Sequence, residues 1–114
     1  MPPSVIVVIR EDPQKTHRAV EALRIALGLS TGENPLSVVL LDRAPLLISE
    51  APEEIVDGEI LEKYLPSFKH LKIPFLVPSG SGARFEIDPE FEVKELSEEA
   101  IRTAIASSDR VLVF

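Results

Sequence analysis

Val5-Ile6-Val7-Val8-Ile9, led in by Ser4, is apolar at consecutive positions and almost wholly β-branched. A strand half exposed to water would alternate, so this pattern predicts a strand covered on both faces. From Gln14 to Leu29 the period changes. Ala19, Val20, Leu23, Ala26 and Leu27 recur at spacings of three and four, while Lys15, Arg18, Glu21 and Arg24 take the other side. That is an amphipathic helix, ended by Gly28 and Gly32. Leu36 to Leu41 repeats the buried-strand pattern and stops at Asp42-Arg43-Ala44-Pro45, completing a βαβ unit.

The stretch from Ala44 to Leu71 is less regular. Pro52, Gly58 and Pro66 punctuate it, yet Ile60, Leu61, Tyr64, Leu65, Phe68 and Leu71 keep helical spacing, which predicts broken helix with a kink or new turn at Pro66. Ile73 to Val77 reads as a third strand running into a Pro78-Ser79-Gly80-Ser81-Gly82 loop. Phe91 to Leu96 alternates apolar with charged residues, the pattern of an edge strand with one wet face. Ser97 is an N-cap with Glu98 and Glu99 in the first turn, and Ala100, Ile101, Ala104 and Ile105 form the apolar stripe of a helix reaching about Ser108. Arg110 to Phe114 is a last strand. Strands alternating with helices, most of the strands apolar on both faces, predict a single α/β domain over residues 1–114: a three-layer α/β/α arrangement around a five-stranded, mainly parallel sheet.

Composition narrows the chemistry. A chain of 114 residues, 45% hydrophobic and 27% charged, has the make-up of one ordinary globular domain. Its net charge of −7 argues against nucleic acid or an acidic membrane as partner. Cysteine is absent, which removes disulfides, thiolate catalysis, persulfide chemistry and sulfur-ligated metal sites. His17 and His70 are the only imidazoles and belong to different elements, so no metal or other cofactor is expected. The apolar run Val5–Ile9 is too short for a signal-peptide core or a membrane span, and a cytoplasmic location is the default.

In open parallel sheets ligands bind outside the carboxyl ends of the strands. Those ends carry Arg10-Glu11-Asp12, Asp42-Arg43 and the Ser79-Gly80-Ser81-Gly82 loop, with Thr16 and His17 opening the first helix. Arg10 and Arg43, with backbone amides of the helix and loop, offer a cradle for a phosphate, sulfate or carboxylate. The plainer alternative is that the glycines permit a turn and the arginines pair with Glu11, Asp12 or Asp42. No P-loop lysine and no Gly-x-Gly-x-x-Gly pattern supports a nucleotide. His17 beside Asp42 is an acid or base candidate, set against a solvated residue at a helix start. Ser79 and Ser81 lack a nucleophile-elbow motif, so no catalytic residue is assigned. The carboxylates at 53, 54, 57, 59 and 62 form an acidic surface of the kind that confers solubility, the alternative being a docking patch for a basic partner.

An apolar first strand, an Ala- and Leu-rich first helix, a second strand closing on Asp42, the passage YLPSFKHLKIPFLV and the terminal ASSDRVLVF together resemble the DsrE/DsrF-like superfamily of sulfur-relay proteins, nearest its TusC or DsrF branch. The resemblance implies a strand order of four-three-two-one-five. It also implies assembly into trimers, hexamers or heterohexamers, either as a homo-oligomer or as a hetero-oligomer with cysteine-bearing DsrE-like subunits. Active members carry a cysteine after the third strand, where this chain has Val77-Pro78-Ser79-Gly80-Ser81. A serine hydroxyl does not hold a persulfide, so the expectation is a non-catalytic, structural or regulatory subunit. The alternative is a small-anion or metabolite-binding protein outside sulfur relay. The terminal Val111-Leu112-Val113-Phe114 would then be an apolar edge strand, which favours burial against another subunit.

Overall fold

The structure, a computed structural model, describes residues 3–50 and 55–114; Pro52, Glu53 and Glu54 of the sequence reading lie outside them. In chain order the elements are β1 (Val5–Ile9), α1 (Arg18–Leu29), β2 (Leu36–Leu40), a 3-10 helix (Ala44–Ile48), α2 (Gly58–Leu71), β3 (Phe75–Pro78), α3 (Ser81–Arg84), β4 (Val93–Leu96), α4 (Glu98–Ser107) and β5 (Arg110–Val113). The five strands form one sheet in the order β4-β3-β2-β1-β5. Every pairing is parallel, with Val5 beside Leu36 and Arg110, and Phe75 beside Val38 and Val93.

This order explains the layers. Each step from β1 through β4 moves one way across the sheet, so right-handed crossovers put α1 and α2 on the same face. The last crossover runs back past β1, and the same handedness puts α4 on the opposite face. Alternate strand residues accordingly feed two cores. Val7, Ile9, Val38, Leu40, Phe75 and Val77 pack under α1, α2 and the 3-10 helix, while Ile6, Val8, Val39 and Leu76 pack under Ile101 of α4. Both faces of β1, β2 and β3 are covered, which is why their sequences show no polar alternation.

Differences from the sequence pattern have local causes. α1 starts at Arg18 rather than Gln14, because Asp12 organises a turn: its carbonyl accepts from the Lys15 and Thr16 amides, and its carboxylate accepts from the Gln14 amide at 2.9 Å. Pro66 lies inside α2 at an exposed position, without ending the helix. Of the apolar residues that keep helical spacing through α2, Leu61 and Phe68 are buried, whereas Ile60 and Leu71 are exposed. The loop after β3 is not open turn throughout, since Ser81 to Arg84 closes a single helical turn.

Candidate functional site

At the carboxyl ends of the parallel strands a crevice opens between the ends of β1, β2 and β3 and the overlying α4, and Arg10 emerges from β1 beside it. Arg10 and Asp42 form an ion pair at 3.8 Å, with both side chains about two-thirds exposed. Asp42 adopts a left-handed backbone with φ of 55°, an uncommon conformation for a residue with a side chain. Together they line a cleft of about 350 Å³. Its walls are Leu41, Pro78, Ile101 and Ile105, and Glu98 and Arg102 on the first turns of α4 complete the rim. The rim therefore holds two opposed ion pairs, with Arg102 bonded to Glu98 at 2.6 Å across one helical turn.

The other residues singled out in the sequence are distributed elsewhere. Arg43 bonds to Asp12 at 3.3 Å and donates to Gln14 Oε1 at 2.9 Å, which fixes the β1–α1 loop against the turn after β2. Thr16 accepts through its hydroxyl from the Arg18 amide. His17 is the exposed N-cap position of α1 and makes no side-chain cap. It lines a separate cleft of about 570 Å³ with Glu11, Arg18, Glu21, Val113 and Phe114, away from Asp42. The Arg24 guanidinium, one turn along α1 and hydrogen-bonded to Glu21, holds the Glu21 carboxyl below its ordinary value.

The Ser79–Gly82 loop has a built-in occupant. Glu95, on the neighbouring strand β4, accepts through Oε1 from the Gly80 amide at 2.7 Å and the Gly82 amide at 3.2 Å. Gly80 sits at φ +90°, where a side chain would be strained. At Gly82 a Cβ would meet the Glu95 carboxylate at 3.1 Å, so the glycine permits its close approach. The amides that sequence reasoning offered to a bound anion thus already hold a carboxylate of this chain. Ser79 is exposed, whereas Ser81 is buried. The structure joins Arg10 to Asp42 but keeps Arg43, Thr16, His17 and the Ser79-Gly80-Ser81 loop out of their cleft.

Sequence reasoning missed the α4 half of the cleft and the role of Glu95. The signal for the first was present in the Ile101 and Ile105 stripe behind the Ser97 cap, whose hydroxyl accepts from the Ala100 amide at 3.1 Å. Among the described residues no three histidines, cysteines or carboxylates cluster as a metal site would require, and no helix is long and apolar enough to cross a membrane.

With this geometry in place, comparisons with known proteins are specific. No curated protein matches. The crystal structure of the ychN protein from E. coli superposes with a TM-score of 0.76 at 18% sequence identity, covering 100% of both chains, which establishes the shared fold. A family model for the DsrE/DsrF-like family matches residues 4–114, from the lead-in to β1 to the final phenylalanine. The chain therefore belongs to the DsrE/DsrF-like family.

Proposed function

We infer that this protein is a non-catalytic, cysteine-free subunit of the DsrE/DsrF-like type, a single cytoplasmic domain acting structurally or as a regulator beside cysteine-bearing relatives in intracellular sulfur transfer. One observation carries the reading. The chain contains no cysteine, and the loop after β3 is closed by an internal carboxylate, with the Gly80 and Gly82 amides both bonded to Glu95. A persulfide carrier needs an accessible thiolate, and none exists here. The final Asp109 to Phe114 passage, an aspartate before a short apolar strand ending in phenylalanine, supports placement near the TusC or DsrF branch. The test is exposure of the purified chain to a persulfide-loaded cysteine desulfurase or a TusA-like donor, followed by intact-mass spectrometry. No covalent sulfur adduct is expected, and an adduct on this chain overturns the reading.

A second reading is supported by the cleft at Arg10. Apolar walls with a guanidinium at the mouth suit a small anionic metabolite with an apolar body, and the exposed Arg10–Asp42 pair contributes at most about 1 kcal/mol, so a competing carboxylate displaces Asp42 at little cost. Titration with small carboxylates, followed by amide chemical shifts around Asp42 and Ile101, tests it. Arg10→Ala is expected to weaken binding at least tenfold, and a variant that binds as tightly as wild type rejects the site.

A further inference from the structure

The cleft at the ends of β1, β2 and β3 carries two cations and two anions on its rim, so its own charge is balanced. The two ion pairs are not alike. Arg102 and Glu98 are bonded at 2.6 Å within one helix and satisfy each other. Arg10 and Asp42 approach only to 3.8 Å, beyond hydrogen-bond length, and among the described residues neither side chain makes a hydrogen bond elsewhere. Their backbones, by contrast, are anchored. The Arg10 amide donates to the Phe114 carbonyl at 2.7 Å, the Leu41 amide donates to the Ile9 carbonyl at 3.0 Å, and the Leu41 carbonyl accepts from the Ala44 amide at 2.9 Å. Between these last two bonds Asp42 is held at φ 55°, a left-handed conformation that is costly for a residue with a side chain and is concentrated at ligand sites. Fixed backbones thus present one cation and one anion whose hydrogen-bonding groups are uncommitted.

We propose that this cleft binds an apolar α-amino acid as its zwitterion, with the carboxylate on Arg10, the ammonium on Asp42 and the side chain against Leu41, Pro78, Ile101 and Ile105. The inference rests on the second functional reading above and names the ligand class of that site. Charge decides between classes. A plain carboxylate takes Arg10 and leaves Asp42 without a partner beside a second negative charge, on a chain that already carries −7. An amine takes Asp42 and strands Arg10. A zwitterion exchanges one long ion pair for two charge-assisted hydrogen bonds and leaves no charge alone. In an α-amino acid both charged groups hang from one carbon, so they meet a cation and an anion 3.8 Å apart without the two side chains parting. The walls then select the side chain. Leu41, Pro78, Ile101 and Ile105 offer no polar side-chain atom, so a polar ligand side chain would lose its bonds to water without replacement. A volume of about 350 Å³ lies at the small end of ligand cavities, which suits a single amino acid rather than a nucleotide.

The test titrates the full chain with leucine and with three fragments of it, following amide chemical shifts to about 10 mM ligand. The fragments are 4-methylpentanoate, which lacks the ammonium, 3-methylbutylamine, which lacks the carboxylate, and glycine, which lacks the side chain. Leucine is expected to saturate shifts at Asp42 and Ile101 and to bind at least tenfold more tightly than each fragment. Asp42→Asn preserves the turn, because asparagine tolerates the left-handed backbone as aspartate does. It is expected to weaken leucine at least tenfold while 4-methylpentanoate binds no more weakly than to wild type. If 4-methylpentanoate binds as tightly as leucine, or if Asp42→Asn leaves leucine affinity intact, the zwitterion is overturned and the anion reading stands. If glycine matches leucine, the apolar side chain is overturned. If the amine matches leucine, or none of the four gives a saturable shift at Asp42 and Ile101, the zwitterion and the anion reading fall together.

Discussion

At one edge of the sheet β4 carries Lys94 and Glu95, which its own chain ties inward; at the other, β5 carries Val111 to Val113 and, among the described residues, pairs with β1 alone. The β4 edge continues from Phe91, which meets the Phe75 ring edge-on at 5.7 Å, and Phe75 in turn packs on Phe68 at 5.4 Å. Lys69 spans the outside of this aromatic trio, 4.9 Å above the Phe91 ring, with its ammonium bonded to Asp88 at 2.9 Å and Glu90 at 3.0 Å. Glu95 then pins the strand to the Gly80 loop. Among the described residues the β5 edge has no such buttress. Its exposed side-chain tie is the pairing of Ser4 with Asp109 at the start of the strand. A charged edge held by its own chain is finished within the monomer, whereas an apolar edge held by one ladder keeps its outer backbone groups and side chains in contact with water.

The largest effect separating the two edges should come from the aromatic trio. Phe75→Ala removes its central ring from a fully buried position, and chemical denaturation should register a loss of about 3–5 kcal/mol. Val113→Ala, at the other edge, should change monomer stability by less than about 0.5 kcal/mol, because its side chain is already in water. Comparable losses at the two positions would break the contrast.

A smaller effect belongs to Glu95. Glu95→Ala leaves the Gly80 and Gly82 amides to water, and since the site is exposed the cost should be about 1 kcal/mol rather than the larger penalty of a buried orphan. Hydrogen exchange at those two amides should quicken while exchange at Val77 stays slow. If both amides keep their protection in the variant, Glu95 is not what closes the loop.

The contrast between edges also shows what was legible in the sequence. β1, β2 and the amphipathic α1 could be read because each carries its own periodicity: continuous apolar runs for strands buried on both faces, and a 3.6-residue repeat for the helix. The alternation of Phe91 to Leu96 marked a half-wet edge correctly, although regular pairing begins only at Val93. Strand order came from family resemblance, since periodicity says which faces are buried and nothing about which strands are neighbours. α3 escaped because one turn containing Gly82 is too short to show a repeat. The Glu95 bond and the Arg10 cleft escaped for a different reason. Each joins residues far apart in sequence whose meeting depends on sheet order, so a glutamate in an edge-strand pattern reads as solvent-facing until β3 is placed beside it.

Lys69 provides a pH-dependent test of the β4 buttress. Hydrogen bonding from the Glu90 amide, reinforced by Lys69, holds the Asp88 carboxyl below its ordinary value of 3.8, and the paired carboxylates raise Lys69 above its ordinary 10.5. A depressed acid contributes stability that is present above its unfolded value and is lost as pH falls through the folded one. A raised base contributes stability that is present below its unfolded value and is lost as pH climbs through the folded one. Lys69→Met should therefore be less stable than wild type at pH 7 by about 0.5–1 kcal/mol for these partly exposed pairs, and the difference should shrink below about pH 3.8 and again above pH 10.5. A difference that is flat across that range would mean that Lys69 acts through the packing of its aliphatic stem rather than through its charge.

The smallest effect is expected at the β5 edge itself. Asp109 accepts through Oδ2 from the Ser4 amide at 2.8 Å and from the Ser4 hydroxyl at 3.3 Å, while its own amide donates to Ser4 Oγ at 3.1 Å. Asp109→Ala removes the two carboxylate bonds and leaves the third, and because all three are exposed the loss in global stability should be no more than about 0.5 kcal/mol. Local behaviour should be more sensitive than global stability. These bonds lock the entry of β5 against the entry of β1, and the strand beyond them is held by a single ladder, so fraying should start here. Hydrogen exchange at the Leu112 and Phe114 amides should accelerate in Asp109→Ala, with exchange at Val7 and Val39 unchanged. If β5 pairs with a second copy, that acceleration should diminish as protein concentration is raised, because pairing holds the strand from its other side. Acceleration independent of concentration would leave β5 an edge secured by this chain alone.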